Sequence, residues 1–317
     1  MPDEIREDQT VKRQLGFIPT SVLYLRKSQS LQKSVNDKLG QDSYTRGTTS
    51  LSQFNPALAE LIIKLWSNKD DIILDPFAGR CRAIVARNMD RKYIGYEISV
   101  KAYEHLLQTL KRNTLVQHKH QPKVINISSE QIEADCIADL VFSCPPYWNV
   151  EDYDKAYGEQ IDGQLSSIPN YDAFLLIYKN IIGKCFNALK PGKYVVWVVA
   201  DIRRNKTLIP FGADTIKIFQ DVGFKVHDVI INKLDSLAIR GIAQCIKNNY
   251  LPKMHEYVLV FKKPGIDETE PRVIDFDDLS EIKNEAGLVK GDAWIAHNGL
   301  VKGDAWIAHY TPLKGRG

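Results

Sequence analysis

The chain has 317 residues, 42 Lys and Arg against 39 Asp and Glu (net charge +3), 44% hydrophobic and 26% charged content, which describes a globular protein of one large or two ordinary domains. No apolar run reaches the roughly 18–20 residues that cross a bilayer, and the polar, mixed-charge start MPDEIREDQTVKRQ does not read as a secretion signal. Five cysteines (Cys81, Cys136, Cys144, Cys185, Cys245) without CxxC spacing predict reduced thiols, no structural zinc and a cytoplasmic protein with no membrane partner.

Residues 1–50 carry short apolar clusters among many Ser, Gln, Lys and Thr, and are predicted to be an N-terminal arm or small subdomain. Asn55-Pro56 opens a helix: Asn is a good N-cap, Pro fits the first turn, and Leu58, Leu61, Ile62 and Leu65 follow at helical spacing. Strands are predicted at 71–75, 92–97, 124–127, 139–143, 194–199, 224–233 and 256–262. Helices are predicted from 83, at 100–112, at 171–189 before Lys190-Pro191-Gly192, and at 213–222 before Gly223. This alternation predicts an α/β fold: a Rossmann-like, doubly wound, mostly parallel seven-stranded sheet. No helical pattern is read between the last two strands, so they are expected to form a C-terminal antiparallel pair. Residues 51–263 form the catalytic domain in this reading, and 264–317 an acidic linker and a repeated tail. The tail carries GLVKGDAWIAH twice, at 287–297 and 299–309. Two copies are too few for a solenoid, and no function is assigned to them.

Two motifs carry chemistry. In an open parallel sheet, ligands sit beyond the carboxyl ends of the strands, near the switch in strand order. Asp75-Pro-Phe-Ala-Gly79 ends the first such strand, and its small residues let backbone approach a ligand. The next strand ends on Glu97, an acid able to accept hydrogen bonds from both ribose hydroxyls. Arg80-Cys-Arg82 stands where a dinucleotide loop has further glycines, so the expected ligand has an adenosine but no pyrophosphate. The two arginines either bind an anion or are solvated.

The second motif is Phe142-Ser-Cys-Pro-Pro-Tyr-Trp148, at the end of the fourth strand. Pro-Pro fixes two φ angles and removes two N–H donors, leaving carbonyls as preset acceptors, and Tyr147 offers a stacking face worth roughly 1–3 kcal/mol to a base. Acceptors beside a flat face suit a planar ring bearing an amino group.

DPFAG, then YEIS, then SCPPYW resembles the S-adenosylmethionine-dependent DNA methyltransferases that modify exocyclic amino groups, in the gamma order with the cofactor motif first. The resemblance covers roughly residues 50–263, to the closing strand His255–Lys262, and phage-type modification methylases are similar around Arg240. It implies that Asp75, Phe77 and Gly79 line the methionine end of S-adenosylmethionine, that Glu97 holds the ribose, and that Ser128 lies near the adenine. Cys144, Pro145, Pro146 and Tyr147 would form the target pocket, entered by a base flipped out of double-stranded DNA. Cytosine N4 is slightly favoured over adenine N6: Trp148 after the tyrosine leans that way, and serine in place of Cys144 would lean the same way, a signal that the cysteine blurs.

The family places Asp, Asn or Ser where this chain has Cys144, and a thiol is a weak acceptor. Either the Pro145 carbonyl carries the polarisation, or Ser143 turns in as a substitute, or the pocket is slow or inactive. A nucleophilic role for the thiol is disfavoured, since that chemistry has the cysteine after the proline. From Arg203 to Lys253 there are nine Lys and Arg against four Asp and no Glu. The segment 232–253 is the expected DNA-recognition insert, with Lys233, Arg240, Gln244, Lys247 and Asn248 as DNA-binding residues. The loop 149–164, with Tyr153 and Tyr157, is expected to close over the base. An RNA or other amine methyltransferase and a degenerate DNA-binding homologue are the rival functions. A homodimer and a cognate restriction endonuclease are left open as partners.

Overall fold

The computed structural model describes residues 20–25, 54–112, 118–133, 135–151, 153–158, 160–234 and 239–265, without the side chains of Arg80, Arg112, Ala156, Tyr157, Ile239 and Arg240. Most of the expected N-terminal arm, and the linker and repeat from 266 onward, therefore lie outside the described residues.

The seven predicted strands form, and three short ones, β1, β7 and β8, appear where none was expected: β1 Val22–Leu23, β2 Ile72–Asp75, β3 Lys92–Tyr96, β4 Lys123–Ile125, β5 Ala138–Ser143, β6 Leu189–Val199, β7 Ile202–Arg204, β8 Thr207–Ile209, β9 Lys225–Lys233 and β10 His255–Lys262. The helices are α1 Pro56–Trp66, α2 Arg80–Asn88, α3 Val100–Arg112, α4 Tyr153–Tyr157, α5 Tyr171–Ala188, α6 Phe211–Val222 and α7 Ile239–Lys247. The main sheet has the order β1-β9-β10-β6-β5-β2-β3-β4. Only β10 runs antiparallel to its neighbours. The expected doubly wound sheet with a closing antiparallel pair is thus present, but with eight strands rather than seven. The extra one, β1, adds the N-terminal segment to the β9 edge, Val22 opposite Ile231 and Leu23 opposite Asn232.

Two further corrections concern short elements. β7 and β8 form a separate antiparallel hairpin. The stretch between the last two strands contains α7, where no helix is predicted.

From β2 the chain winds outward through β3 to β4, then returns beside β2 with β5 and winds the other way to β6. The switch point lies between β2 and β5, the two strands that end on the two motifs. One sheet face (Phe142, Val196, Val198, Ile230, Val258) packs on α1, α2 and α3, and the other (Val141, Val195, Trp197, Leu259, Phe261) on α5 and α6. α1 begins as its sequence predicts, with Asn55 Oδ1 accepting from Ala57 N at 3.0 Å ahead of Pro56. It buries Leu58, Leu61 and Ile62, while Leu65, the fourth residue of the predicted stripe, is 42% exposed. α6 stops at Gly223, whose φ of 111° few other residues adopt.

Candidate active site at the strand switch point

The first turn is organised by a buried carboxylate. Asp75 is fully buried. Its Oδ1 accepts from Phe77 N at 3.1 Å and from Ser143 Oγ at 2.6 Å, and its Oδ2 from Arg82 Nε at 2.7 Å and Tyr93 OH at 2.8 Å. Arg82 also donates to the Phe77 carbonyl at 2.5 Å. Burial works against the Arg82 charge, but the Asp75 carboxylate outweighs it and holds the guanidinium above its ordinary range. Arg82 is therefore neither a solvated arginine nor a free anion site: it is the buried counter-ion of Asp75. A Cβ on Gly79 would lie 2.8 Å from the Arg82 guanidinium, so the glycine makes room for that ion pair.

Above this turn lies a cavity of about 470 Å³. Phe77, Gly79, Glu97 and Ser128 line it, whereas the Asp75 carboxylate is turned inward beneath it. Glu97 Oε1 accepts from Ser99 N at 2.9 Å. Burial outweighs that backbone bond and pushes its carboxyl up to about 7. Ser128 caps the short turn after β4, accepting from Glu130 N at 3.3 Å, and the neighbouring Ser129 hydroxyl donates to the Pro76 carbonyl. Phe77 stands edge-on to Trp197, ring centroids 5.9 Å apart. An acid at one end, an aromatic wall and a small-residue turn fit an adenosine-bearing ligand of the predicted kind.

The second turn lines the same cavity through Cys144, Pro145, Pro146 and Tyr147. Cys144 Sγ and Tyr147 OH lie 3.4 Å apart. Burial pushes the Cys144 thiol up to about 12 and Tyr147 well above its ordinary value, so both are neutral at physiological pH and neither is a base or nucleophile there. Ser143 is committed to Asp75 and does not turn into the pocket as a substitute for Cys144. The Pro146 carbonyl accepts from Trp148 N at 3.2 Å. Trp148 has φ of 40°, rare for a bulky residue, and is held by its indole N–H on the Ile168 carbonyl at 2.8 Å and by the Tyr171 ring. It braces the turn from behind and is not among the cavity-lining residues.

The predicted DNA-contact residues divide. Lys233 lines the cavity, its ammonium 4.7 Å from the Tyr24 ring. Gln244 and Lys247 are exposed on α7, and Asn248 follows it, donating through Nδ2 to the Gln244 carbonyl at 2.8 Å. Arg240 is on α7, with its side chain outside the described residues. α4 occupies part of the loop 149–164, and Glu151 and Tyr153 from this loop line the cavity.

Sequence reasoning passes over Asn232 and Glu256, which also line the cavity. Asn232 Nδ2 donates to Glu256 Oε1 at 2.8 Å, and Asn232 Oδ1 is buried with no partner among the described residues. Such an acceptor left unpaired costs about 1–3 kcal/mol. Counting by two along each strand finds both, since Ile230 and Val258 are core residues of one face.

A family model described as DNA methylase, of the N6/N4 type, matches residues 11–108 and 138–312. The type II beta methyltransferase M.BslI of Bacillus sp. (strain NEB-606) is 30% identical over 152 residues, covering 43% of this chain. The chain spans only 15% of that relative's length. M.BslI is by name of beta type, whereas the motif order here resembles the gamma arrangement. Among solved structures, a methyltransferase from Pyrococcus furiosus is similar over 74% of this chain and 98% of its own (14% identity, TM-score 0.43). A DNA modification methylase homologue from Thermus thermophilus, in complex with S-adenosyl-L-methionine, is similar over 45% of this chain and 56% of its own (24% identity, TM-score 0.32). No described helix is long and apolar enough to cross a membrane. The family model covers well over half of the sequence, and the chain belongs to the N6/N4 DNA methylase family, whose methyl donor is S-adenosylmethionine.

Proposed function

We propose that this chain transfers a methyl group from S-adenosylmethionine to the exocyclic amino group of a base flipped out of double-stranded DNA, with cytosine N4 preferred over adenine N6. The observation that carries this reading is that Glu97 and the Cys144–Tyr147 turn line one cavity, at the switch point between β2 and β5. S-adenosylmethionine supplies an electrophilic methyl group on a sulfonium.

The protein residues do the positioning. Glu97, as the carboxylate, accepts from the ribose hydroxyls, while Phe77 and Gly79 shape the wall at the other end. Tyr147 stacks on the flipped base and offsets part of the few kcal/mol that unstacking costs. An aryl amine is a poor nucleophile because its lone pair is delocalised into the ring. Acceptors that hold its N–H groups turn that lone pair toward the methyl group, so geometry and electrostatics carry the rate. A covalent route through Cys144 is disfavoured by its high thiol pKa. The cytosine preference rests on Trp148 after the tyrosine and on cysteine being close in shape to the serine that the resemblance associates with N4. Lys233, Arg240, Gln244, Lys247 and Asn248, at the end of β9 and on and just after α7, contact DNA in this reading.

The test incubates the full chain with tritiated S-adenosylmethionine and unmethylated duplex DNA, then identifies the modified nucleoside by mass spectrometry. N4-methyldeoxycytidine is expected. N6-methyldeoxyadenosine would overturn the choice of base. Transfer to RNA alone, or no transfer by a protein that binds the cofactor, would overturn the DNA reading.

A further inference from the structure

Four strand ends meet at the rim of the cavity. Cys144 lies two residues beyond core Phe142, Ala200 two beyond Val198, Asn232 two beyond Ile230, and Glu256 two before Val258 in the antiparallel β10. Side chains at a spacing of two share a sheet face, so these four stand on one face at one edge. All four line the cavity. Asn232 and Glu256 are direct partners in the β9–β10 register.

The orientation of Asn232 is fixed by chemistry. The Asn232 amide turns Nδ2 toward Glu256 Oε1, which it meets at 2.8 Å, the orientation that a carboxylate, which only accepts hydrogen bonds, requires. Oδ1 then faces the other way. Asn232 is 2% exposed, and no described residue donates to that oxygen. A buried, unpaired acceptor on a residue that lines the cavity suits an N–H donor. The proline turn at the same sheet edge offers only a weak side-chain acceptor, because Cys144 stands where the resembling family has Asp, Asn or Ser.

We infer that Asn232, oriented by Glu256, supplies the side-chain acceptor for the target amino group that Cys144 cannot. The inference rests on the proposed methyl transfer to a base amine and names the residue that makes the pocket work in this chain. The Glu256 charge acts on both Cys144 and Tyr147, pushing each further up, which places the pair electrostatically close to the proline turn. Donation of Nδ2 to a carboxylate also polarises the amide and strengthens Oδ1 as an acceptor.

The test compares wild type, Asn232→Leu, Cys144→Asn and the double variant, using tritiated S-adenosylmethionine and unmethylated duplex DNA, with cofactor affinity by calorimetry and thermal melting alongside. Asn232→Leu is expected to lower the transfer rate constant by about 10²-fold while changing cofactor affinity less than about two-fold. Cys144→Asn supplies an acceptor from the proline turn, so it should raise the rate of Asn232→Leu by at least about ten-fold more than it raises wild type. A merely structural role for Asn232 would not produce that coupling. If Asn232→Leu does not fold, Asn232→Ala takes its place with the same readings. A rate within about three-fold of wild type, or equal effects of Cys144→Asn in both backgrounds, overturns the assignment of Asn232 alone. A wild-type protein that binds cofactor but methylates no DNA overturns the proposed function, and this assignment with it.

Discussion

Ser143 Oγ donates to Asp75 Oδ1 at 2.6 Å, and that bond joins the ends of β5 and β2 across 68 residues of sequence. The two motifs are thereby one mechanical unit: the last residue of β5 is bonded to the last residue of β2, and Cys144 follows directly. Removing either partner should loosen both turns, but not equally. Ser143→Ala leaves the carboxylate three other partner groups and should cost about 1–3 kcal/mol. Asp75→Ala strands a buried guanidinium and a buried tyrosine hydroxyl, and should cost about 3–5 kcal/mol. Urea denaturation measures both, and equal losses would contradict the asymmetry.

Gly79→Ala tests the packing of the same unit. The added Cβ would lie 2.8–3.0 Å from three atoms of the Arg82 guanidinium. That group is held by Asp75 and the Phe77 carbonyl and cannot retreat without breaking those bonds. A destabilisation of about 1–3 kcal/mol is expected, together with weaker cofactor binding, because the displaced turn lines the cavity. Unchanged melting temperature and cofactor affinity would show that the ion pair has slack the distances do not suggest.

Glu97 predicts a pH dependence with opposite signs for folding and binding. Its folded carboxyl titrates near 7, above the ordinary 4.5, because of burial. The folded state therefore holds the proton more tightly than the unfolded chain, and the contribution of Glu97 to stability falls as pH rises from 4.5 to about 7. Ribose hydroxyls need the carboxylate, so cofactor affinity should rise over the same interval and level off above it. At pH 6 only about a tenth of the carboxyls are ionised, which should weaken binding by about ten-fold relative to the plateau. Glu97→Gln should flatten the profile, and Glu97→Ala should weaken binding by on the order of 10–100-fold. Calorimetry from pH 5.5 to 8.5 checks all three, and a flat wild-type profile would remove Glu97 from the ribose site.

The frame of this site is legible in the sequence because its signals are local. Buried β-strands end on Asp75, Tyr96 and Ser143, each just before a turn or an acid, and a parallel sheet brings such ends to one edge. What escapes is less local. β1 has only two residues, and nothing in Val22-Leu23 says that they pair with β9. α7 does carry a helical pattern, since Ile239, Ile242, Ala243 and Ile246 follow i, i+3, i+4, i+7. Gly241 inside it and the polar run after it mask that pattern. Arg82 reads as an anion-binding or solvated arginine until the end of β2 is seen to bury a carboxylate seven residues before it. Asn232 and Glu256 become partners only through the β9–β10 register, which no single segment encodes.

Cys144 gives the last prediction. Its thiol is held up to about 12 by burial and lies 3.4 Å from the Tyr147 hydroxyl, so iodoacetamide at pH 8 should modify it far more slowly than an exposed thiol such as Cys136. Cys144→Ser replaces a weak acceptor with a good one at nearly the same volume, and should raise the methyl-transfer rate. Tyr147→Ala removes the stacking face and should lower transfer by about 10–100-fold at roughly 1–3 kcal/mol, with cofactor affinity nearly unchanged because Glu97 and the first turn stay intact. Single-turnover rates and calorimetry on the two variants separate these effects. A complete loss of transfer in Cys144→Ser would give the thiol a role that its burial and protonation argue against, and a parallel loss of cofactor binding in Tyr147→Ala would move that ring out of the base pocket and into the cofactor site.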